Sequence, residues 1–353
     1  MKIALVGGGT VGHIAPSQSL INAIKELDSN TQHFYVAANN KVDIKYLSSQ
    51  KEKSYFLPVA KLRRYLDIQN FTDIFNFIKA FYSSLKILKT EKPDLVFSKG
   101  GYVSVPFCLA AYLKRIPIIL HESDSSLGLA NKLILPLTTQ IWLSHPNCLV
   151  KRYLFKTYVV KLPIKDSIMN PNSGFEFAEY LDPNLKNLLV IGGSLGAKHI
   201  NDFIYESKDI INSHYNIIHV VGSRDFDSKH KITQKYIPLE FVNDLGPIYQ
   251  ITDVCISRAG AGTLNELEAL RIPTILIPLT GGQSRGDQLL NAEYFVEKNK
   301  FGTILLESNL NLDKLIPSLN SLPGRIFVYS TKSKDKNNTK LYDLILSAAN
   351  KPK

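Results

Sequence analysis

The residues of this sequence best suited to chemistry sit beside short glycine runs. Gly7-Gly8-Gly9-Thr10-Val11-Gly12 leads straight into His13, and Gly192-Gly193-Ser194-Leu195-Gly196 repeats the pattern far downstream. Each run follows a short apolar stretch and opens a helical pattern. Glycine there lets backbone come close to a ligand. The helix start also aims N–H groups and a positive dipole end at an anion. The spacing is not that of the GxGxxG dinucleotide fingerprint. The sequence contains no GxxxxGK[ST] phosphate loop, which argues against a nucleoside triphosphatase. Tight helix-on-sheet packing is the other reading of such glycines. His13, at the helix start beside the first run, is placed to act as a base or to donate to a phosphate.

Further groups belong to the same chemistry. Lys99-Gly100-Gly101-Tyr102-Val103-Ser104-Val105-Pro106 is another glycine-rich turn, and His121-Glu122-Ser123-Asp124 follows an apolar run from Ile116. Ligands of open parallel sheets bind beyond the strand carboxyl ends, so both segments converge on the edge that carries His13. Glu122 and Asp124 have a second reading as caps of a helix over Leu127 to Leu133. Ser257-Arg258-Ala259-Gly260-Ala261-Gly262-Thr263-Leu264-Asn265-Glu266 makes another anion cradle. Glu266 is expected in the first turn of its helix. There it can accept from ribose hydroxyls, or merely complement the dipole for about 0.3–1 kcal/mol. Gly281 to Gln288 offers amide and carboxylate groups, Asp287 and Gln288 among them, that suit hexose hydroxyls.

The elements that must hold these groups alternate short β-branched runs with longer amphipathic segments, the pattern of an α/β fold. Strands are expected at Lys2–Val6, His33–Ala38, Leu95–Ser98, Ile116–His121 and Gln140–Leu143, with a helix over His13–Glu26. After a break near Tyr158 to Pro163 the pattern restarts. Strands are expected at Asn187–Ile191, Ile217–Val221, Val254–Ser257 and Thr274–Pro278, and helices at Ala197–Ser207, Gly262–Leu270 and Asp287–Lys298. The restart predicts two Rossmann-like domains with parallel sheets, over residues 1–162 and 163–330. Thr331 to Asn338 reads as a polar, loose tail. Thr339 to Asn350 has helical spacing and can pack back on the first domain.

Composition narrows the class. The chain has 353 residues, 44% hydrophobic and 21% charged, which suits two soluble globular domains. No apolar run reaches the roughly 18 residues of a membrane span. The apolar stretch before Gly7 is too short for a signal-peptide core. Cys108, Cys148 and Cys255 are far apart, so neither a disulfide framework nor a zinc site is expected, and a reducing cytoplasm is the natural setting. Residues 1–162 hold 21 Lys and Arg against 10 Asp and Glu, whereas residues 163–353 hold 21 of each. The basic surplus suits nucleic acid, anionic lipid or a phosphorylated substrate, or is simply a solvated face. No nucleic-acid recognition motif accompanies it, and no nucleic acid is expected as a partner.

Six segments in order, GGGTVGHIAP, SKGGYVSVP, HESD, GGSLGA, SRAGAGTLNE and SRGDQLLNA, resemble the MurG family over roughly residues 1–325. These are the N-acetylglucosamine transferases that turn lipid I into lipid II in peptidoglycan synthesis. The resemblance implies a GT-B fold, with the two sheets facing a central cleft, the acceptor mainly on the first domain and the donor mainly on the second. It implies an inverting displacement from UDP-N-acetylglucosamine by the muramoyl 4-hydroxyl. His13 is the first candidate for its base, followed by Glu122 and Asp124. On the donor side it implies Ser194 at the pyrophosphate, Val242 at uracil through its backbone, Ala261, Gly262 and Thr263 at the diphosphate and Glu266 at the ribose. Asp287 and Gln288 would bind the sugar hydroxyls. Thr10, Val11 and Gly12, with His13, would form the acceptor-side loop that closes over the site, and with Asp124 and Lys165 would also touch the donor. No metal and no cofactor are expected. Asp225-Phe226-Asp227 resembles the DxD metal motif of another transferase fold, but Arg224, Lys229 and Lys231 around it favour a charge-paired surface.

Three positions depart from the family pattern. Val11 replaces a usual Gly, Asp124 a frequent Asn, and Lys165 a usual Arg, which removes bidentate phosphate recognition. The lipid-linked acceptor implies a peripheral place on the cytoplasmic face of the bacterial membrane, with cell-wall synthesis and division proteins as partners. The segment Phe71 to Lys89, with Phe75 and Phe81, and the basic run Lys61-Leu62-Arg63-Arg64 suit an anionic membrane surface. Core packing is the other reading of that apolar stripe. Arg63, Arg64 and Tyr102 are assigned to the acceptor and membrane side. The alternative function is another GT-B transfer from a UDP-sugar, to a different lipid or small molecule.

Overall fold

The computed structural model describes residues 1–9, 11–50, 52–59, 69–193, 196–280, 286–327 and 333–350. The chain forms two compact units, Met1–Pro163 with Thr331–Lys353, and Ile164–Ser330.

In the first unit β1 (Lys2–Val6), α1 (Val11–Leu27), β2 (Gln32–Ala38), α2 (Lys41–Ser49), β3 (Ser54–Leu57), α3 (Gln69–Glu91), β4 (Leu95–Ser98) and α4 (Ser104–Leu113) come first. They are followed by β5 (Ile118–Glu122), α5 (Leu129–Ile134), β6 (Gln140–Leu143) and β7 (Thr157–Val159). All strands run parallel, in the order β3-β2-β1-β4-β5-β6-β7. Helices cover both faces, so the strands read as nearly continuous apolar runs rather than alternating ones. Strand alternation still sorts the side chains. Ala4, Val6 and Val96 face α3 and α4 through Ala80, Leu88 and Phe107, while Ile3, Leu5 and Phe97 face α1 through Leu20 and Ile24.

The second unit holds α6 (Asp166–Met169), β8 (Lys186–Ile191), α7 (Lys198–Ile211), β9 (Tyr215–Val220), β10 (Tyr236–Leu239), α8 (Gly246–Ile251), β11 (Val254–Ser257) and α9 (Ala261–Leu270). It continues with β12 (Thr274–Leu276), α10 (Asp287–Lys298), β13 (Gly302–Ile304) and α11 (Leu312–Ser321). Its parallel order, β10-β9-β8-β11-β12-β13, repeats the first sheet's arrangement. Leu189 and Ile191 pack toward α9 and α10, and Leu188 and Val190 toward α7 and α11. The last helix, α12 (Ser333–Ala349), belongs to the first unit, where Leu341 and Ile345 join the α1 core. Gln140 Nε2 donates to Leu344 O and Ser347 Oγ at 3.0 and 2.9 Å.

The expected outlines shift in three informative places. β5 begins at Ile118 rather than Ile116, and the Pro117 carbonyl accepts from Val96 N before the strand proper starts. Glu122 is therefore the last strand residue. Residues 333–338, expected as a loose tail, are helical, with Asn338 buried and Asn337 Nδ2 donating to Lys161 O at 3.2 Å. Glu266 is the sixth residue of α9 and not part of its first turn, which holds no acid. Dipole complementation therefore does not explain it.

Candidate active site

In each sheet the strand order reverses once, between β1 and β4 and between β8 and β11. At such a switch point neighbouring loops leave in opposite directions and open a crevice beyond the carboxyl ends. Among the described residues, Gly7 to Gly9, Gly100 and Gly101 follow β1 and β4 at the first of these edges, and Gly192 and Gly260 follow β8 and β11 at the second.

At the first edge the glycine turns interlock. Gly101 has φ +81°, and a Cβ there would lie 2.5 Å from Gly8 O. A Cβ on Gly8 would lie 2.5 Å from Asp43 Oδ2 and 2.8 Å from Ala38 N. Asp43 is fully buried and accepts from Gly9 N at 2.8 Å and Ala38 N at 3.1 Å. The Gly9 N–H is thus used inside the protein rather than offered to an anion. His13 is half-buried in the first turn of α1, and Gly12 beside it is exposed. Thr10, Arg63 and Arg64 lie outside the described residues, and only the backbone of Val11 is described. Tyr102 is half-buried in the turn before α4.

Glu122 is a hub. Its Oε1 accepts from Ser123 N at 2.9 Å and Asp124 N at 3.1 Å, and its Oε2 from Gly128 N at 3.0 Å and Asn131 Nδ2 at 2.8 Å. Burial raises its carboxyl pKa against those hydrogen bonds. A carboxylate so occupied shapes the loop, and proton transfer would cost it those contacts. The α5 N-cap is Gly128, with no side-chain cap, so Asp124 does not cap that helix. Asp124 is half-buried, and its carbonyl accepts from Cys148 Sγ at 3.1 Å.

The second edge is built differently. Gly192 is packing-limited, since a Cβ would lie 2.7 Å from Ala197 Cβ. Gly196 has φ +83°, and a Cβ would lie 2.5 Å from Val221 O. Ser194 lies outside the described residues. Gly260 and Gly262, which flank the start of α9, show the contrary case. A Cβ at either would meet nothing within 4 Å among the described residues, and Gly260 has an ordinary φ of −74°. Among the described residues, neither packing nor backbone conformation requires glycine there. Ala261 and Thr263 are half-buried in the first turn of α9.

Glu266 accepts from the buried Tyr249 hydroxyl at 2.9 Å. Burial pushes its carboxyl up to about 7, against the Tyr249 hydrogen bond and the charge of half-buried Lys165. Asp287 is buried at the start of α10, after Gly286 at φ +79°. Gln288 Oε1 accepts from Leu279 N at 2.9 Å. Val242 is half-buried against the core of its unit. Arg258, adjacent to the open turn, points elsewhere: it donates to Ile277 O at 3.0 Å and to Glu307 Oε1 at 2.7 Å. Asp225 pairs with Arg224 at 3.2 Å and accepts from Asn201 Nδ2 at 3.0 Å, while Asp227 pairs with Lys229 and His230. Both carboxylates of the DxD-like segment are engaged within the protein.

Comparison with known proteins gives this geometry a family. The glycosyltransferase family 28 N-terminal domain matches residues 3–142, and the family 28 C-terminal domain matches residues 187–345. A Clostridium novyi protein is 37% identical, with 100% of this chain and 99% of that protein covered. A Clostridium botulinum protein is 40% identical, with 96% of each covered. Both carry the name UDP-N-acetylglucosamine–N-acetylmuramyl-(pentapeptide) pyrophosphoryl-undecaprenol N-acetylglucosamine transferase. The chain belongs to the MurG family. The crystal structure of Acinetobacter baumannii MurG shares the GT-B fold, at TM-score 0.67 and 21% identity, covering 99% of this chain and 95% of that one. Within the MurG frame, several residues at the edges carry no signal in the sequence alone. Asp43, Asn131 and Tyr249 are remote in sequence from the turns they brace. A buried carboxylate or phenol reads from sequence like any surface one until folding brings its partner near.

Proposed function

We propose that this chain transfers N-acetylglucosamine from UDP-N-acetylglucosamine to the muramoyl 4-hydroxyl of a pyrophosphoryl-undecaprenol-linked acceptor, the step from lipid I to lipid II. The reaction named for its full-length relatives supports this reading. The structural observation that carries it is the open turn at Gly260 and Gly262. Glycines that neither packing nor φ demands are explained by a ligand that approaches the backbone closely. A diphosphate at the N-terminus of α9 would do so, held by N–H groups of Ala261, Gly262 and Thr263. The turn at Ser194 adds donors, Glu266 accepts from the ribose, Val242 meets uracil through its backbone, and Lys165 adds positive charge. Asp287 takes the sugar hydroxyls, joined by Gln288. Charge growing on departing UDP is met by fixed N–H dipoles.

The acceptor falls to the first unit. His13 takes the hydroxyl proton in an inverting displacement, with Asp124 as the next candidate. Glu122 suits the task of holding the loop. Thr10, Val11 and Gly12 close over the reacting groups, and Tyr102 lines the acceptor side. A membrane role for this unit has its own support. Ile74, Phe75, Ile78 and Tyr82 of α3 are exposed, Phe75 by 72%, while Phe81 packs on the core. No described helix is long and apolar enough to cross a membrane. Such a face with basic surroundings suits adsorption to anionic lipid at the cytoplasmic surface. The decisive assay is UDP release from UDP-N-acetylglucosamine with lipid I, against diacylglycerol and no acceptor. Release with diacylglycerol but not lipid I would sink the acceptor assignment.

A further inference from the structure

Lys99 immediately follows β4, and its side chain is almost fully buried, 3% exposed. Its backbone N–H donates to Val6 O at 2.8 Å, and a Cβ on Gly7 would lie 3.1 Å from the Lys99 Cβ. It therefore sits where the β1 turn, the β4 turn and the loop after β5 meet. Its Nζ lies 2.8 Å from His121 Nδ1 and also donates to Ser123 Oγ. Both partners are uncharged. An ammonium withdrawn from water without a hydrogen-bonded carboxylate costs stability, and a methionine of similar length would fill the same space without that cost. The fold does not call for the charge.

What the charge does is local. As donor to Nδ1 it makes that nitrogen an acceptor, so the ring proton sits on Nε2 and faces Ser144 Oγ at 3.2 Å. Phe97 stacks on the same ring at 6.2 Å, which fixes the plane and leaves the tautomer to Lys99. We propose that Lys99 is a positioning residue for the transfer reaction, whose ammonium sets the His121 tautomer and holds Ser123 and Asp124 in place on the acceptor side. Burial brings the Lys99 ammonium down to about 8, opposed by Glu122 and Asp124. His121 stays neutral, held well below its ordinary value by burial and by the charges of Lys99 and His145. Lys99 is thereby set to change charge just above neutrality. Loss of its proton frees the ring and the loop, which gives the reaction an alkaline limb near pH 8.

The role rests on the transfer reaction proposed above, and two readouts keep them apart. The full chain labelled with 15N-histidine is measured at pH 7 and pH 9, alongside turnover of UDP-N-acetylglucosamine with lipid I. The parent is expected to show His121 as the Nε2–H tautomer at pH 7 and a mixture at pH 9. Lys99→Met is expected to show the mixture at both, melt no lower than the parent, and lose the alkaline limb. Its kcat falls by ~10- to 100-fold, the range that a small misplacement near the reacting groups costs, with donor KM unchanged. Lys99→Arg, which keeps the charge, retains most of the single tautomer. An unchanged tautomer in Lys99→Met overturns the proposal, as does an alkaline limb that persists. A Lys99→Met chain that melts well below the parent makes the residue structural and also overturns it. Absence of UDP release by the parent defeats the transfer reading alone, since the tautomer still reports on Lys99.

Discussion

The two units share one strand order and use its switch point in opposite ways. The first fills its edge with ionisable side chains: Asp43, Lys99, His121 and Glu122 are all buried there. Gly101 there is locked against Gly8, and Gly8 against Asp43. In the second, a Cβ at Gly260 or Gly262 would meet nothing within 4 Å among the described residues, and Tyr249 holds Glu266. Charge follows the same division. With the α12 segment included, the first unit carries 27 Lys and Arg against 12 Asp and Glu, and the second 15 against 19. The lesson is that topology supplies a crevice, and the lining decides its use. Exposed helix-start N–H groups suit gripping a diphosphate, while buried, hydrogen-bonded side chains suit holding a loop in place.

The sharpest way to break this contrast is at His13. His13→Ala is expected to lower turnover by at least ~100-fold, as loss of an acid–base group does, with UDP affinity unchanged by calorimetry. Near-normal turnover in the folded variant removes His13 as the base. Gly262→Ala probes the other edge. It is expected to weaken UDP-N-acetylglucosamine by ~10-fold, or about 1.4 kcal/mol. The same change adds up to about 1 kcal/mol of stability, because alanine is the better helix former. Undiminished donor binding would mean that the open turn holds something else.

Glu266 tests the second unit by pH. Its carboxyl, raised from 4.5 to about 7, holds its proton more tightly folded than unfolded. Its contribution to stability therefore falls as pH rises from about 4.5 to 7. Donor affinity should rise several-fold over the same approach to neutrality, as the ionised form becomes a better acceptor for ribose hydroxyls. Glu266→Gln should remove both slopes, read as the difference in melting temperature and in UDP-N-acetylglucosamine affinity between pH 5.5 and 8. Parallel pH curves for parent and variant would show that Glu266 does not titrate there. The smallest effect belongs to Phe75→Ser. It should reduce sedimentation with anionic vesicles a few-fold and leave stability within about 0.5 kcal/mol, as exposed substitutions do. Equal binding to neutral and anionic vesicles by the parent would count against the membrane face.

Much of this was legible in the residues themselves. Glycine runs after apolar stretches marked the strand-to-helix turns, because only glycine tolerates φ +81° at Gly101 or backbone as close as Gly8 O. The restart near Asn187 announced a second unit, and ordered motifs carried the family. Three things were not legible. Helix starts depend on capping and on packing beyond the local pattern, so Glu266 moved out of the first turn and residues 333–338 became helical on polar sequence. The partner of a buried charge is set by chain segments far apart in sequence. Nothing near Glu122 announces Asn131 Nδ2, nothing near Asp43 announces Gly9, and nothing near Lys99 announces His121. The meaning of a glycine also depends on what surrounds it in space. Gly8 and Gly260 look alike in sequence, yet a Cβ at Gly8 would meet a carboxylate and one at Gly260 would meet nothing within 4 Å among the described residues. The sequence by itself determined the elements, their order and the chemical groups available, because periodicity and turn chemistry are local. Only the tertiary structure decided which groups are spent holding loops and which are left for a substrate, because burial and hydrogen bonding are settled by contacts the chain makes with itself at a distance.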